Sequence, residues 1–123
     1  MNLKILMTVL SIIASLVGTA GIARPVQFLE SKGANVTPAA VIWMRQVGVL
    51  ILAQGITCFL LRDEPISLAV RAFLAGAAFT QLGLLPIEIV AFQRGELTKL
   101  SGIVPNSILH VILGCTLLHR ALY

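Results

Sequence analysis

Charged residues are scarce in this sequence of 123 residues, because Asp, Glu, Lys and Arg together make up only 11% of it. Hydrophobic residues make up 58%. A chain of this length still exposes much of its area when it folds, so it could not hide that much apolar surface inside one soluble domain. The composition therefore excludes an ordinary soluble domain, and we expect a lipid bilayer to cover the remaining apolar surface.

Cysteine is equally scarce, since Cys58 and Cys115 are the only two. Both lie in apolar segments, and they match neither a metal-ligand spacing nor the disulfide framework of a secreted module, so we interpret them as reduced core residues. The net charge of +4 is modest, and the basic residues fall at segment ends without forming a patch for nucleic-acid phosphates. We expect no nucleic-acid partner, no metal and no cofactor.

Four apolar runs predict an all-α fold, an integral membrane four-helix bundle that forms one domain over residues 1–123. Each run supplies the roughly 20 residues that a bilayer core needs. The predicted helices span residues 3–23, 38–61, 66–91 and 105–121. Thr37 can cap the second helix with Pro38 at its first position, and Pro86 should bend or end the third. Four crossings place both termini on the same side of the membrane.

The first run and the connection after it each allow two interpretations. Lys4 followed by an apolar run resembles a signal peptide, but the run exceeds the usual apolar length of roughly 7–15 residues. The rest of the chain is equally apolar, so we expect a retained helix. Residues 27–33 form either a short interfacial helix or a plain loop. Basic residues are balanced between the two sides, so the positive-inside rule predicts no orientation.

Polar side chains inside hydrocarbon are costly unless they are paired, and four of them share one predicted depth. At about 1.5 Å per residue, Arg45 lies roughly 10 Å and His110 about 7.5 Å from the starts of their helices. Glu88 stands a few residues before its helix exit, and Asn106 lies one turn from His110. The antiparallel order brings all four to one membrane face, which predicts a polar ring with an Arg45–Glu88 ion pair.

The ring has a structural and a functional interpretation. In the structural one, which we prefer, Arg45 and Glu88 neutralise each other to hold the helices in register, and Asn106 bonds between helices. In the functional one, the ion pair with its neighbouring amide and imidazole binds a polar headgroup, and His110 shuttles a proton.

Small residues recur at helical spacing along the predicted helices. The positions that we assign to helix packing are Gly18, Gly48, Gly55 and Gly76. Small residues let two backbones approach closely, so that dispersion and weak polar contacts hold helices together in lipid. The pattern predicts packing, either within one bundle or between copies of the chain.

The stretch Met44-Arg45-Gln46-Val47-Gly48 leads to Gln54-Gly55, and Gly102-Ile103-Val104-Pro105 leads to Leu109-His110. This pattern, over nearly the whole chain, resembles the small four-helix bacterial membrane proteins called DoxX-like. The resemblance implies a bacterial inner-membrane location, and it singles out Arg45, Gly48, Gly55, Pro105 and His110. Much of that group has no assigned biochemical role. Glu88 and Asn106 fall outside its pattern, so the ring is only partly covered by the resemblance.

Three functions are compatible with these features. The leading hypothesis is a non-enzymatic accessory or assembly subunit of a membrane complex, or a homo-oligomer, because little of the chain lies outside the predicted helices. The alternative is a membrane-embedded enzyme or binding protein for a lipid, terpenoid or quinone-like molecule, with His110 and Glu88 as acid–base groups and Arg45 as anion clamp. A pore or transporter has less support, since broken-helix repeats are not evident.

Overall fold

The computed structural model describes residues 2–123, and helices are the regular secondary structure of that part of the chain. The five helices are α1 (Leu3–Ala23), α2 (Pro25–Ser31), α3 (Pro38–Leu61), α4 (Leu68–Gln93) and α5 (Leu100–Leu122). The predicted all-α fold is confirmed. Of the two interpretations of the first connection, the structure has the short helix, α2.

Four of the helices are long and apolar enough to cross a membrane: α1, α3, α4 and α5. The protein is an integral membrane protein. Four threonines inside these helices, Thr8, Thr57, Thr80 and Thr116, keep their hydroxyl hydrogens satisfied, because each donates to the carbonyl four residues earlier. These bonds lower the cost of placing a hydroxyl in hydrocarbon.

Local sequence signals explain how the long helices begin. The Thr37 side chain accepts from the Ala40 amide at 3.1 Å, and Pro38 occupies the first turn of α3, as predicted. Ser67 caps α4 in the same way by accepting from the Val70 amide. At the other end of α4, Gly95 takes a positive φ of 74° and the Glu96 amide returns to the Ala91 carbonyl. Glycine suits that left-handed position, which ends the helix.

Both intrahelical prolines lie within continuous helices. Pro86 lies inside α4, which continues to Gln93, so of the two predicted effects it does not end the helix. The fourth membrane helix was expected to begin near Pro105, but α5 begins at Leu100 and contains it. A proline removes one backbone donor, and a helix tolerates this in a membrane protein when neighbouring groups satisfy the freed carbonyl.

The first compact unit contains the packed helices α1 and α3. Glycines set their close approach. A Cβ added at Gly48 would lie 2.8 Å from the Gly18 carbonyl oxygen, and one added at Gly55 would lie 3.1 Å from the Ser15 amide nitrogen. Backbone-to-backbone contact of this kind is the packing that small residues permit in lipid. Gly76 differs, because a Cβ there would meet no atom within 4 Å.

A charged contact closes one end of this first unit. The Lys4 ammonium lies 2.6 Å from an Asp63 carboxylate oxygen, and Arg62 donates to the other oxygen of Asp63 at 3.1 Å. The hydrogen bond from Lys4 is the main cause that lowers the pKa of Asp63. The contact ties the start of α1 to the turn that follows α3.

The second compact unit contains the packed helices α4 and α5, together with Ser31–Ala34. Leu74 and Leu117 are fully buried. A Cβ added at Gly114 would lie 2.6 Å from the Leu82 side chain, so the missing Cβ makes room for a leucine. The Arg71 guanidinium donates to the Ala121 carbonyl at 3.0 Å, which satisfies a carbonyl at the end of α5.

The two cysteines are free, as predicted. Cys58 is buried in α3, but Cys115 is exposed on α5, so the interpretation of both as core residues is wrong for Cys115. An amphipathic burial pattern could not be read in a helix whose lipid-facing residues are as apolar as its core.

Candidate functional site

Glu88 is the centre of a polar cluster in the second unit. It lies on α4 and is only 9% exposed. On α5, Asn106 donates from its amide nitrogen to one carboxylate oxygen at 2.9 Å, and Ser107 donates from its hydroxyl to the other at 3.0 Å. Both carboxylate oxygens therefore have donors from the neighbouring helix, which keeps the buried carboxylate from being left without partners.

The cation bound to Glu88 comes from outside the long helices. The Lys32 ammonium donates to the same carboxylate oxygen that accepts from Asn106, and forms an ion pair with it. The Lys32 side chain is 17% exposed and that of Glu88 is 11% exposed. A lysine can lay its apolar stem along the protein and extend its charged end to a partner. The formal charges of the pair cancel.

Ser31–Ala34, which we call the strap, holds Lys32 in place through its backbone. The Lys32 carbonyl accepts from the amides of Thr98 and Lys99, each at 3.2 Å. The Gly33 carbonyl accepts from the Thr98 hydroxyl at 3.1 Å. Gly33 has a positive φ of 69°, and an added Cβ would lie 2.9 Å from the Lys99 amide nitrogen. A side chain at position 33 would therefore be strained and would push the strap away.

The strap also packs against α5 at a second glycine. A Cβ at Gly102 would collide with the Ser31 carbonyl. Gly102 thus makes the space that the strap occupies beside the first turn of α5. Backbone bonds on one side and a close approach on the other dock the strap onto the turn between α4 and α5.

His110 and Gln81 form a second polar pair between α5 and α4. The Gln81 side-chain oxygen is hydrogen-bonded to His110 Nδ1. With this amide orientation, Nδ1–H donates to the Gln81 oxygen, and the other ring nitrogen, Nε2, is not part of this bond. The pair adds a neutral polar contact to the charged cluster around Glu88.

The structure brings together part of the predicted ring. Glu88 and Asn106 are in contact, whereas His110 bonds to Gln81. The cation that donates to Glu88 is Lys32, whereas the sequence predicted an ion pair between Glu88 and Arg45. Arg45 is exposed on α3, in the first unit, and its membership of the ring stays a prediction.

Sequence reasoning missed Lys32, Ser107 and the partner of His110. Lys32 lies in a connection between helices, and only the folded path of the strap shows that it reaches into the helix pair. Ser107 follows Asn106 directly, and Gln81 lies seven residues before Glu88, two helical turns along nearly the same face of α4.

In comparisons with protein-family models, curated proteins and solved structures, nothing matches this chain. What the cluster can do must therefore be argued from its own geometry. Within residues 2–123, every buried side-chain nitrogen and oxygen has a hydrogen-bond partner. The bonds around Glu88 join three stretches of chain, namely α4, α5 and the strap, so the cluster can hold these in register.

Proposed function

We propose that this integral membrane protein is a non-enzymatic accessory or assembly subunit of a membrane complex, or a homo-oligomer, located in a bacterial inner membrane. One observation carries the proposal. The buried polar groups of the second unit bond to one another, with Glu88 taking donors from Lys32, Asn106 and Ser107. A cluster that is already saturated suits a structural task better than the capture of a substrate.

The exposed faces of the helices support the same proposal. Phe79 is 80% exposed on α4, and neither Gly76 nor Gly83 would place an added Cβ within 4 Å of any atom. Gly76 and Gly83 are seven residues apart and so lie near one face of α4. Small residues on an open face allow another transmembrane helix to approach closely. In contrast, Gly18 and Gly48 are occupied by contacts between α1 and α3.

Stoichiometry in a bilayer tests this proposal. The full chain is reconstituted in lipid nanodiscs, and native mass spectrometry measures how many copies each disc holds. We expect more than one copy, and we expect Gly76→Leu to reduce that number, because leucine fills the open face without clashing inside the chain. Ala53→Leu, at an exposed position of α3, is the control for added bulk. A strict monomer that also isolates from native membranes without any partner would overturn the proposal.

One observation favours the alternative function, a binding protein or enzyme for a lipid, terpenoid or quinone-like molecule. Gln81 hydrogen-bonds to His110 Nδ1 and leaves the other ring nitrogen, Nε2, outside that bond, and an imidazole held in one orientation suits acid–base chemistry. The resemblance to DoxX-like proteins also singles out His110 and Arg45. Under this alternative, His110→Gln folds normally and loses binding of a quinone probe. Under the leading proposal, the variant changes stability alone.

A further inference from the structure

A groove on the second unit combines an apolar floor with two charged residues. It is lined by Pro86, Ile87, Val90, Ala91, Arg94 and Glu96, and has a volume of about 390 Å³. From Pro86 to Arg94 it follows α4 for about 12 Å at 1.5 Å per residue. Its charged end lies just past the end of α4, at the C-cap residue Arg94. In a bilayer, this arrangement places charge at the interface and apolar wall in the hydrocarbon.

The two charged residues that line the groove are Arg94 and Glu96. In the described part of the chain, neither the Arg94 nor the Glu96 side chain has a hydrogen bond or an ion pair. The turn at Gly95 lies between them in the chain, and its positive φ lets the Glu96 amide return to the Ala91 carbonyl. The guanidinium of Arg94 and the carboxylate of Glu96 therefore both belong to the lining of the groove next to the end of α4.

We propose that this groove binds one phospholipid whose headgroup carries both a phosphate and a primary ammonium, the chemistry of phosphoethanolamine. Arg94 binds the phosphate through its planar set of donors, and Glu96 accepts from the ammonium. The negative end of the α4 dipole also favours a cation there. One acyl chain lies along Ile87, Val90 and Ala91.

The charge pattern selects among phospholipid classes. A choline headgroup has a phosphate for Arg94, but its trimethylated nitrogen has no hydrogen to donate to Glu96. A glycerol headgroup has a phosphate for Arg94 but no cation for the Glu96 carboxylate. Each contact between partly exposed charges contributes little binding free energy. We therefore expect a preference of about two- to fivefold for the phosphoethanolamine lipid.

Lipid retention tests the site. The full chain is purified in mild detergent and incubated with phosphatidylethanolamine, phosphatidylcholine or phosphatidylglycerol of identical acyl chains, and native mass spectrometry measures the bound fraction. We expect Glu96→Gln to remove the preference for phosphatidylethanolamine over phosphatidylcholine. Arg94→Gln should weaken the retention of both. Lys99→Gln and Glu30→Gln remove matching exposed charges outside the groove and should leave retention unchanged.

Two further experiments test whether binding needs the acyl chain and whether the lipid occupies the groove itself. Soluble phosphoethanolamine in excess should not displace the lipid, because it lacks the acyl chain. Ala91→Leu narrows the groove without changing charge and should lower the retention of all three lipids equally. Equal retention of the three lipids by the wild type would overturn the proposal. An undiminished preference in Glu96→Gln, or displacement by soluble phosphoethanolamine, would overturn it as well.

Discussion

The Lys32 ammonium forms an ion pair with the Glu88 carboxylate, although the two residues are 56 positions apart in the chain. Lys32 lies in a connection between helices, and Glu88 lies inside a membrane helix. The contact is supported on the strap by backbone bonds from Thr98 and Lys99 to the Lys32 carbonyl, and on α5 by Asn106.

Removing one partner of the ion pair should destabilise the protein. Breaking a buried pair costs about 3–5 kcal/mol, because the remaining charge stays buried without its partner. Lys32 is still 17% exposed, so we expect a loss near the lower end, about 3 kcal/mol, for Lys32→Met. The free energy of unfolding in mild detergent, measured by titration with a denaturing detergent, checks this. Lys99→Met, at an exposed lysine, should change it little.

The double variant Lys32→Met with Glu88→Gln should recover much of that loss. A glutamine at position 88 is neutral, and its side chain can still accept from Asn106 while donating to Ser107. The double-mutant cycle therefore reports a coupling free energy between Lys32 and Glu88. A parallel cycle with Arg45→Met tests the ring predicted from the sequence. Strictly additive effects in the Lys32 cycle would show that the ion pair contributes nothing to stability.

The sequence predicted the membrane helices well because apolar length is a one-dimensional signal. α1 and α3 have the predicted bounds, and Thr37 caps α3 as expected. The predicted start of the fourth membrane helix lies five residues after the start of α5, because the prediction treats Pro105 as a first-turn residue. A proline marks a helix start only where its missing donor would have no partner in any case. Periodicity does not reveal that a longer helix contains it.

The site was predicted less completely, for a geometrical reason. Glu88 and Asn106 could be matched because depth along two helices follows from counting residues. The contribution of Lys32 depends on the path of a connection, which turns at Gly33 through a positive φ. Depth alone also underlies the pairing of Arg45 with Glu88, which stays a prediction.

Adding a methyl group at Gly48 should destabilise the first unit. The new Cβ would lie 2.8 Å from the Gly18 carbonyl oxygen and 2.9 Å from the Ile22 amide nitrogen. Both are backbone atoms, so α1 and α3 would have to separate, and overpacking typically costs about 1–3 kcal/mol. Gly76→Ala is the matched control, because its Cβ meets no atom within 4 Å and alanine favours the helix by up to about 1 kcal/mol. The same unfolding titration should give opposite signs for the two variants.

The polar pair of His110 and Gln81 should contribute less than the ion pair. A neutral hydrogen bond contributes about 1 kcal/mol. Gln81→Leu and His110→Leu should each lower the free energy of unfolding by about this amount, and the double variant should lose less than the sum. Thermal unfolding followed by circular dichroism provides the measurement. A loss as large as that of Lys32→Met would contradict this ranking of the two contacts.

Acid should weaken the contact between Lys4 and Asp63. The hydrogen bond from Lys4 lowers the pKa of Asp63 from its usual value of 3.8. A carboxylate whose pKa is lower in the folded state adds stability above its unfolded pKa and loses it as the pH falls through the folded value. Unfolding of the wild type should therefore become easier below about pH 4. Asp63→Asn removes this contribution, and the difference between the two proteins should shrink as the pH falls through that range.

Hydrogen exchange can show whether the Lys32 ammonium holds the strap or merely touches Glu88. The Thr98 and Lys99 amides donate to the Lys32 carbonyl, so they report the docked strap without depending on the side chain at position 32. Lys32→Met keeps that carbonyl and removes the ammonium. If the ion pair contributes about 1.4 kcal/mol to local docking, both amides should exchange about tenfold faster.

Gly33→Ala, which strains the positive φ and crowds the Lys99 amide, should accelerate the same two amides. Lys4→Met removes a lysine from the first unit and should leave them unchanged. Acceleration by Gly33→Ala together with unchanged exchange in Lys32→Met would mean that the backbone bonds alone dock the strap.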